Sequence, residues 1–390
     1  MHYQALAGIV ERNSALARTQ NQIADGRRIQ TPADDPAGAV RALDIDRSLA
    51  ESAQYGRNAS IAANRLTLEE QAFADATNLL QRVRDLTVQA NTATVDQSTR
   101  QSIVAEIDVR LRELVDLGNR RDANGEYLFS GFSTLTQPFA QTAGGVSYVG
   151  DQGVRELQTS PSQRVPDGHS GFEVFLDVGE GNGTFVTGVN PANTGTAIID
   201  GGSVTNPSAW VPDNYTLRFT SATAWEVVDG TSTVVTTGTY ASPTTISFNG
   251  VQVNVEGQVA TGDEFTIRQS TTQDMFTTFA NLLDAMRAST ASGSGRAIFT
   301  TRMGTALQQL DRALDHVSGV RAEVGARLSV LETGETSRMD RELELNSALS
   351  ELRDLDYAEA VTRLNLQLIG LEAAQSSYSK ISQLSLFDYL

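Results

Sequence analysis

The stretch Val361–Lys380, VTRLNLQLIGLEAAQSSYSK, decides how this chain is read. Val361, Leu364, Leu368, Leu371 and Tyr378 fall at alternating steps of three and four, with Gln375 holding one seam position. Near the other end of the chain, Ile9, Leu16 and Ile23 recur every seven residues. A stripe this narrow suits a coiled-coil seam better than the broad apolar face of a helix in a globular core. An isolated helix cannot bury it, so each end needs a partner, and the two ends are suited to pack on each other. The chain reads as an assembling, structural protein before it reads as an enzyme.

Inward from both ends the helical character continues. From His2 to about Arg121, Gly and Pro are sparse outside one segment, Gly26–Gly38, GRRIQTPADDPAG. Pro32 and Pro36 break the helix there, and Asp35 followed by Pro36 fits an N-cap with Pro at the first helical position. A new helix is expected to start at that point and carry Val40, Leu43 and Leu49. Further on, Leu68, Ala72, Ala76, Leu79, Val83, Leu86 and Ala90 share one helical face. Ile103, Ile107, Leu111, Leu114 and Leu117 form another beyond the polar break Asn91–Gln97, so the pair predicts an antiparallel helical hairpin. Asp122-Ala123-Asn124-Gly125 then predicts a turn. On the C-terminal side, Met303, Leu307, Leu310, Leu314, Val317, Val324, Leu328 and Leu331 keep a three-four seam interrupted at Arg321. Ala291–Gly295 reads as a short linker before it, and a further helix is expected around Leu345, Leu349 and Leu352.

Between Ser133 and about Thr272 the character changes. This stretch holds 18 Val against 4 Leu and seven of the nine prolines, which favours strands and turns over helix. Alternating runs at Phe172–Val178, Tyr215–Thr220, Trp225–Val228, Thr245–Val255 and Glu264–Arg268 predict strands, with Asn249-Gly250 as a hairpin turn. Gly179–Gly183 also reads as a hairpin turn, because no Lys-Ser/Thr follows it as in a phosphate loop. With 13 acidic and 4 basic residues, the segment carries about half of the chain's net charge of −17. The expected fold class is α+β and multidomain. Residues 1–40 and 355–390 would pair as a terminal coiled coil, 41–132 and 273–354 would form an antiparallel helical rod, and 133–272 would be an inserted β-rich outer domain.

The charge disfavours nucleic acid and anionic membranes as partners, since either would need basic patches. No apolar run approaches the ~18 residues of a membrane span, and Met1-His2-Tyr3 does not open a cleavable signal peptide. Cysteine is absent, so thiolate chemistry is excluded. The three histidines, His2, His169 and His316, are far apart in sequence. A zinc site would need His and carboxylates converging from distant segments, so no metal, cofactor or catalytic residue is expected. Asp34 and Asp35 read as a turn acid and a helix cap rather than an acid/base pair. Arg27 and Arg28 are equally suited to a solvated loop and to pairing with acids of a neighbour.

Three strings carry a family resemblance. IADGRRIQTPADDPAGAVRALDID, at Ile23–Asp46, resembles the N-terminal region of bacterial flagellins and their hook-associated relatives. GEYLFSG, at Gly125–Gly131, and Asp356–Leu390, with its ending Leu386-Phe387-Asp388-Tyr389-Leu390, look more like the hook–filament junction family than like flagellin. Arg28, Pro32, Asp34, Asp35, Pro36, Tyr127, Leu128 and Phe129 are the residues of these motifs. The family usually carries several more residues before the first helix, so by this resemblance the chain starts inside the pattern. The resemblance implies a structural adaptor in which terminal helices form the inner layer of an axial tube and the β insert lies outside. It implies copies of itself in a ring as partners, with the hook-side junction protein (hook-associated protein 1), flagellin, and an export chaperone on the C-terminal helix. It also implies secretion by the flagellar type III apparatus to an extracellular place on the bacterial flagellum. The alternatives are a filament flagellin and, from another class, a surface adhesin or enzyme acting through the β insert.

Overall fold

Six α-helices carry the ends of the chain in the computed structural model, which describes residues 2–92, 95–142 and 144–387. They are α1 (His2–Asp25), α2 (Pro36–Ala90), α3 (Gln97–Gly118), α4 (Met275–Arg287), α5 (Gly293–Arg353) and α6 (Tyr357–Phe387). Asp388–Leu390, the last part of the aromatic ending, lie outside the described residues. The helices expected separately after Pro36 and around Leu345 are parts of two long ones, α2 with 55 residues and α5 with 61. Neither contains an internal Pro, so a change in which face is apolar does not break the backbone.

The chain forms two compact units, residues 1–58 with 159–161 and 332–390, and residues 59–158 with 162–331. These divisions fall inside α2 and α5, not at the expected boundaries near 40 and 355. In the terminal unit α1 packs along α6. The first part of α2 lies beside the last part of α5, where Ser52 donates to Glu342 at 2.8 Å and Arg353 to Asp46 at 3.2 Å. Leu16, Ile29, Ala42, Leu355 and Ala360 are buried in this unit, but both extended hydrophobic cores belong to the other one.

The first of those cores is helical. On α5, Met303, Leu310, Val317, Val324 and Leu331 are each at most 5% exposed, a heptad series buried throughout. They meet Leu66, Phe73, Leu80 and Val83 of α2, Ile107 and Leu114 of α3, and Phe279 and Leu282 of α4. Arg321, which interrupts the α5 stripe, donates to Glu70 of α2 at 3.0 Å, and Arg82 of α2 donates to Glu106 of α3 at 2.8 Å. Asp96 and Asp274 cap α3 and α4 by accepting from the Thr99 and Thr277 backbone N–H groups, each at 2.7 Å.

Part of the expected β insert belongs to this helical core. Phe139, Val165, Val174, Phe175 and Val178 are buried in it. Phe172–Leu176, read from sequence as the start of a strand, is a π-helical turn. Val174 and Phe175 are consecutive and both essentially unexposed, which the alternating faces of a strand do not allow when one face is wet. The Phe175 ring meets Phe129 and Phe139 edge-on at centroid distances of 5.3 and 5.2 Å.

Gly179–Gly183 is not a hairpin turn. Val178–Gly179 pairs with Thr272–Gln273 and Phe185–Val189 with Phe265–Gln269, so both run along the same returning segment and the loop bulges between them. The bulge turns Glu180 inward. Burial pushes its carboxyl up, but hydrogen bonds from Arg268, at 2.6 and 2.7 Å, and from Thr271, at 2.9 Å, outweigh this and hold it below its ordinary value.

The second core lies between two antiparallel sheets. One has the strand order Val234–Thr239, Ala224–Val228, Tyr215–Ser221, Glu264–Gln269, Phe185–Val189. In the other, Thr244–Phe248 pairs with Val251–Glu256, which also pairs with Ile198–Ile199 and Ser203–Val204. Alternation buries Leu217 and Phe219 from the first and Val251, Val253 and Val255 from the second, with Trp225 and Phe265 between. The Asn249-Gly250 turn has both residues at positive φ, +44° and +76°, as a two-residue hairpin requires.

This β core closes on itself, and its ends meet: Ser270 N–H donates to the Thr184 carbonyl at 2.9 Å. We expect Phe185–Gln269 to be replaceable by a short Gly/Ser linker, with Glu180→Gln added so that no carboxylate is stranded without Arg268. The helical circular dichroism should persist, and the midpoint of cooperative melting should fall by less than about 5 °C. Non-cooperative melting of the remainder would show that the helical core depends on the sheets.

Candidate functional site

The sequence points to the terminal unit, and its local structure follows from the motif around Pro32. Gly26 ends α1 at φ +67°, and a Cβ there would lie 2.7 Å from the Tyr357 hydroxyl, so both conformation and space demand glycine. The chain then crosses the break between α5 and α6. Arg28 N–H donates to the Arg353 carbonyl at 2.7 Å, Leu355 N–H to the Gly26 carbonyl at 3.0 Å, and the Arg28 guanidinium to the Leu352 carbonyl at 2.9 Å. Arg28 also lies 3.5 Å from Asp35, so its partners are within the chain.

Pro32 sits in the turn closed by the bond from Asp34 N–H to the Thr31 carbonyl at 3.0 Å. The Asp34 carboxylate accepts from the Thr31 backbone N–H at 2.8 Å and the Thr31 hydroxyl at 3.0 Å, and the backbone bond from Thr31 is the main cause of its lowered pKa. Asp35 accepts from Gly38 N–H at 2.9 Å, with Pro36 opening α2. Both acids are therefore engaged in building the turn and the helix start.

The seam residues divide unequally. Leu16 is buried, and Ile9, Ile23, Leu364, Leu371 and Tyr378 are half-buried where α1 meets α6. Val361 and Leu368 remain 45% and 43% exposed. Beside them Leu6 and Val10 on α1, and Leu366 and Ile369 on α6, are at least half exposed. Val40 and Leu43 at the start of α2 are open as well. The helix pair thus hides one stripe and leaves a second apolar face uncovered, which burial against further helices would stabilise.

The Tyr127-Leu128-Phe129 part of the other motif lies in the central unit and is buried. Phe129 packs on Phe73 at 5.8 Å, and the Arg121 guanidinium lies 4.2 Å from the centre of the Tyr127 ring. The loop is anchored by Arg65 of α2, which reaches Asp122 at 3.0 Å and Glu126 and Asp167 at 3.4 Å. Arg155 joins the same cluster at 2.7 Å from Asp167.

One constellation escaped the sequence reading. His169 and Glu69, a hundred residues apart, form a buried pair in the central unit. The Glu69 carboxylate accepts from the His169 backbone N–H at 2.8 Å and faces His169 Nδ1 at 3.1 Å, and burial pushes its pKa up. Glu173 and Glu323 approach His169 from the other side, all three offering ligand atoms within 4.8 Å of one another. The His169–Glu173 spacing of four residues was the available signal, but Glu323 arrives from a different helix.

Helical ends of this kind, joined through a β-rich centre, define the flagellin type of axial protein. The pattern for the bacterial flagellin N-terminal helical region matches residues 1–134, and that for the C-terminal helical region matches 307–390. Residues 189–269 match the D2-like domain of flagellar hook-associated protein 1. The crystal structure of Xanthomonas campestris FlgL is 32% identical, covering 78% of this chain and 99% of that one with a TM-score of 0.75. Flagellar hook-associated protein 3 of Escherichia coli (strain K12) is 23% identical over 99% of this chain and 96% of its own length. Flagellin of the same strain is 35% identical over only 30% of this chain and 24% of its own. The chain belongs to the family of FlgL, flagellar hook-associated protein 3, the hook–filament junction proteins of the flagellin superfamily. Its homologues are structural flagellar proteins, and no helix among the described residues is long and apolar enough to cross a membrane.

Proposed function

We propose that this chain is a structural adaptor of the extracellular flagellum, joining the hook-side junction protein to the flagellin filament and assembling with copies of itself through its terminal helices. The observation that carries this reading is the uncovered apolar face of α1 and α6 in a unit that holds neither extended core. Exposing such a face to water is unfavourable, and a ring of like subunits supplies the partners that bury it. Full-length similarity to hook-associated protein 3, against similarity to flagellin over only part of the chain, supports the adaptor over the filament subunit. A chaperone covering α6 before export by the flagellar type III route would protect the same face.

Electron micrographs of a strain lacking the gene test the proposal. The expected result is intact hooks without attached filaments and flagellin in the medium, with filaments restored by the wild-type gene. Filaments that stay attached without the protein would overturn it, and junction proteins left at bare hook ends with no flagellin released would indicate a filament subunit instead.

A further inference from the structure

We propose that His169, Glu173 and Glu323 form a binding site for one divalent transition-metal ion of the Zn²⁺ class, with Glu69 orienting the imidazole. Glu69 lies on α2, His169 in the segment following Asp167, Glu173 on the Phe172–Leu176 turn and Glu323 on α5. The ion would therefore link the 169–173 segment to α5, with α2 holding the imidazole through Glu69.

The argument starts from the imidazole. The His169 and Glu69 side chains are each only 1% exposed. With the Glu69 carboxylate facing Nδ1 at 3.1 Å, the tautomer that donates there presents Nε2 as a lone pair. Nε2 is buried and makes no hydrogen bond. It faces the Glu323 Oε2 atom at 3.5 Å, so in that tautomer a lone pair meets a carboxylate. A positive species between them removes that repulsion. Ligands about 2.1 Å from a tetrahedral metal lie about 3.4 Å from one another, close to the observed separation. Glu173, half-buried, closes by rotation of its carboxylate, and a water takes the fourth position.

The surroundings fit a metal of intermediate softness. A carboxylate behind the ligating imidazole fixes its tautomer and raises its basicity, as in many zinc centres. An imidazole nitrogen with two carboxylates suits Zn²⁺ better than Ca²⁺ or Mg²⁺, which prefer all-oxygen shells. Glu323 is 58% exposed, leaving a path for the ion from solvent. Arg327 competes: it donates to Glu323 Oε2 at 3.3 Å and to the Gly168 carbonyl at 3.2 Å. His316 Nε2 lies 2.8 Å from the Glu173 carbonyl oxygen, outside the ligand set.

The test uses the untagged full-length protein after chelator treatment, titrated with Zn²⁺ alone and, separately, Mg²⁺ alone, by calorimetry and thermal melting. Binding of one Zn²⁺ is expected, with a rise in the melting midpoint of about 5 °C at a hundredfold excess over Kd, and no comparable effect of Mg²⁺. Glu323→Gln should leave the metal-free midpoint within about 2 °C, because the side chain is exposed, while weakening Zn²⁺ at least tenfold. Glu173→Gln should also weaken Zn²⁺ at least tenfold, and Arg327→Gln should tighten binding severalfold. No Zn²⁺-induced shift, or Zn²⁺ binding unchanged in both Glu variants, would overturn the site. His169→Gln adds a second readout if it folds, since it should abolish binding outright.

Discussion

Leu368→Asp is expected to abolish filament attachment while leaving the monomer folded. Leu368 is 43% exposed on α6, so a carboxylate there stays hydrated in the isolated subunit, and the melting midpoint should move by no more than about 2 °C. In an assembled ring the same position would be covered, and burying an unpaired carboxylate costs several kcal/mol. A penalty of about 3 kcal/mol weakens each contact more than a hundredfold, multiplied around the ring. Leu371→Asp should block assembly too, with some loosening of α1 from α6, because Leu371 is already half-buried. Leu368→Ala, which removes apolar area without adding charge, should be much milder. Complementation of a null strain, scored by attached filaments and by melting of the purified variant, checks the prediction. Normal filaments, or unfolding of the central unit, would show that this face is not an assembly surface.

Arg65→Ala is expected to be the most destabilising single change in the central unit. Arg65 is 8% exposed in its side chain, and its partners Asp122 and Asp167 are 7% and 3% exposed. Removing one member of a buried ion cluster strands the other charges and costs about 3–5 kcal/mol, or about 10 °C in melting midpoint for a unit of this size. Arg155, bonded to Asp167, would compensate in part. Adding Asp167→Asn to Arg65→Ala should recover a measurable share of the loss, since the two changes act on one network. A fall of less than about 2 °C would mean that water satisfies these carboxylates once the guanidinium is gone. Because Arg65 holds the Asp122–Glu126 loop that leads into Tyr127-Leu128-Phe129, the same variant should expose the buried aromatic motif to proteolysis before the helices melt.

Some of the architecture is written in local periodicity. The three-four spacing from Met303 to Leu331 becomes a buried heptad, and the seven-residue spacing of Ile9, Leu16 and Ile23 faces α6. Asp35 and Pro36 start α2, and Asn249-Gly250 turns a hairpin. These features depend only on neighbours a few residues away, which sequence displays directly. The strands Tyr215–Ser221 and Glu264–Gln269 were legible for the same reason.

Elsewhere the outcome depended on distant contacts. Phe172–Leu176 has strand-like composition, but its aromatic neighbours Phe129, Phe139 and Phe276 bury consecutive residues and select a π-helical turn. Gly179–Gly183 resembles a hairpin turn, but a common returning partner makes it a bulge with Glu180 turned inward. The division between units falls inside two unbroken helices, and although Gly56, Gly334 and the polar run Glu332–Glu342 lie close to it, the helical backbone continues through them. By itself, the sequence determined the helical ends, the β-rich centre and the need of the terminal stripes for partners, because each follows from side-chain order along one segment. Only the tertiary structure decided which apolar residues stay uncovered on α1 and α6, and that Glu69, His169, Glu173 and Glu323 meet, because those depend on how segments a hundred or more residues apart pack together.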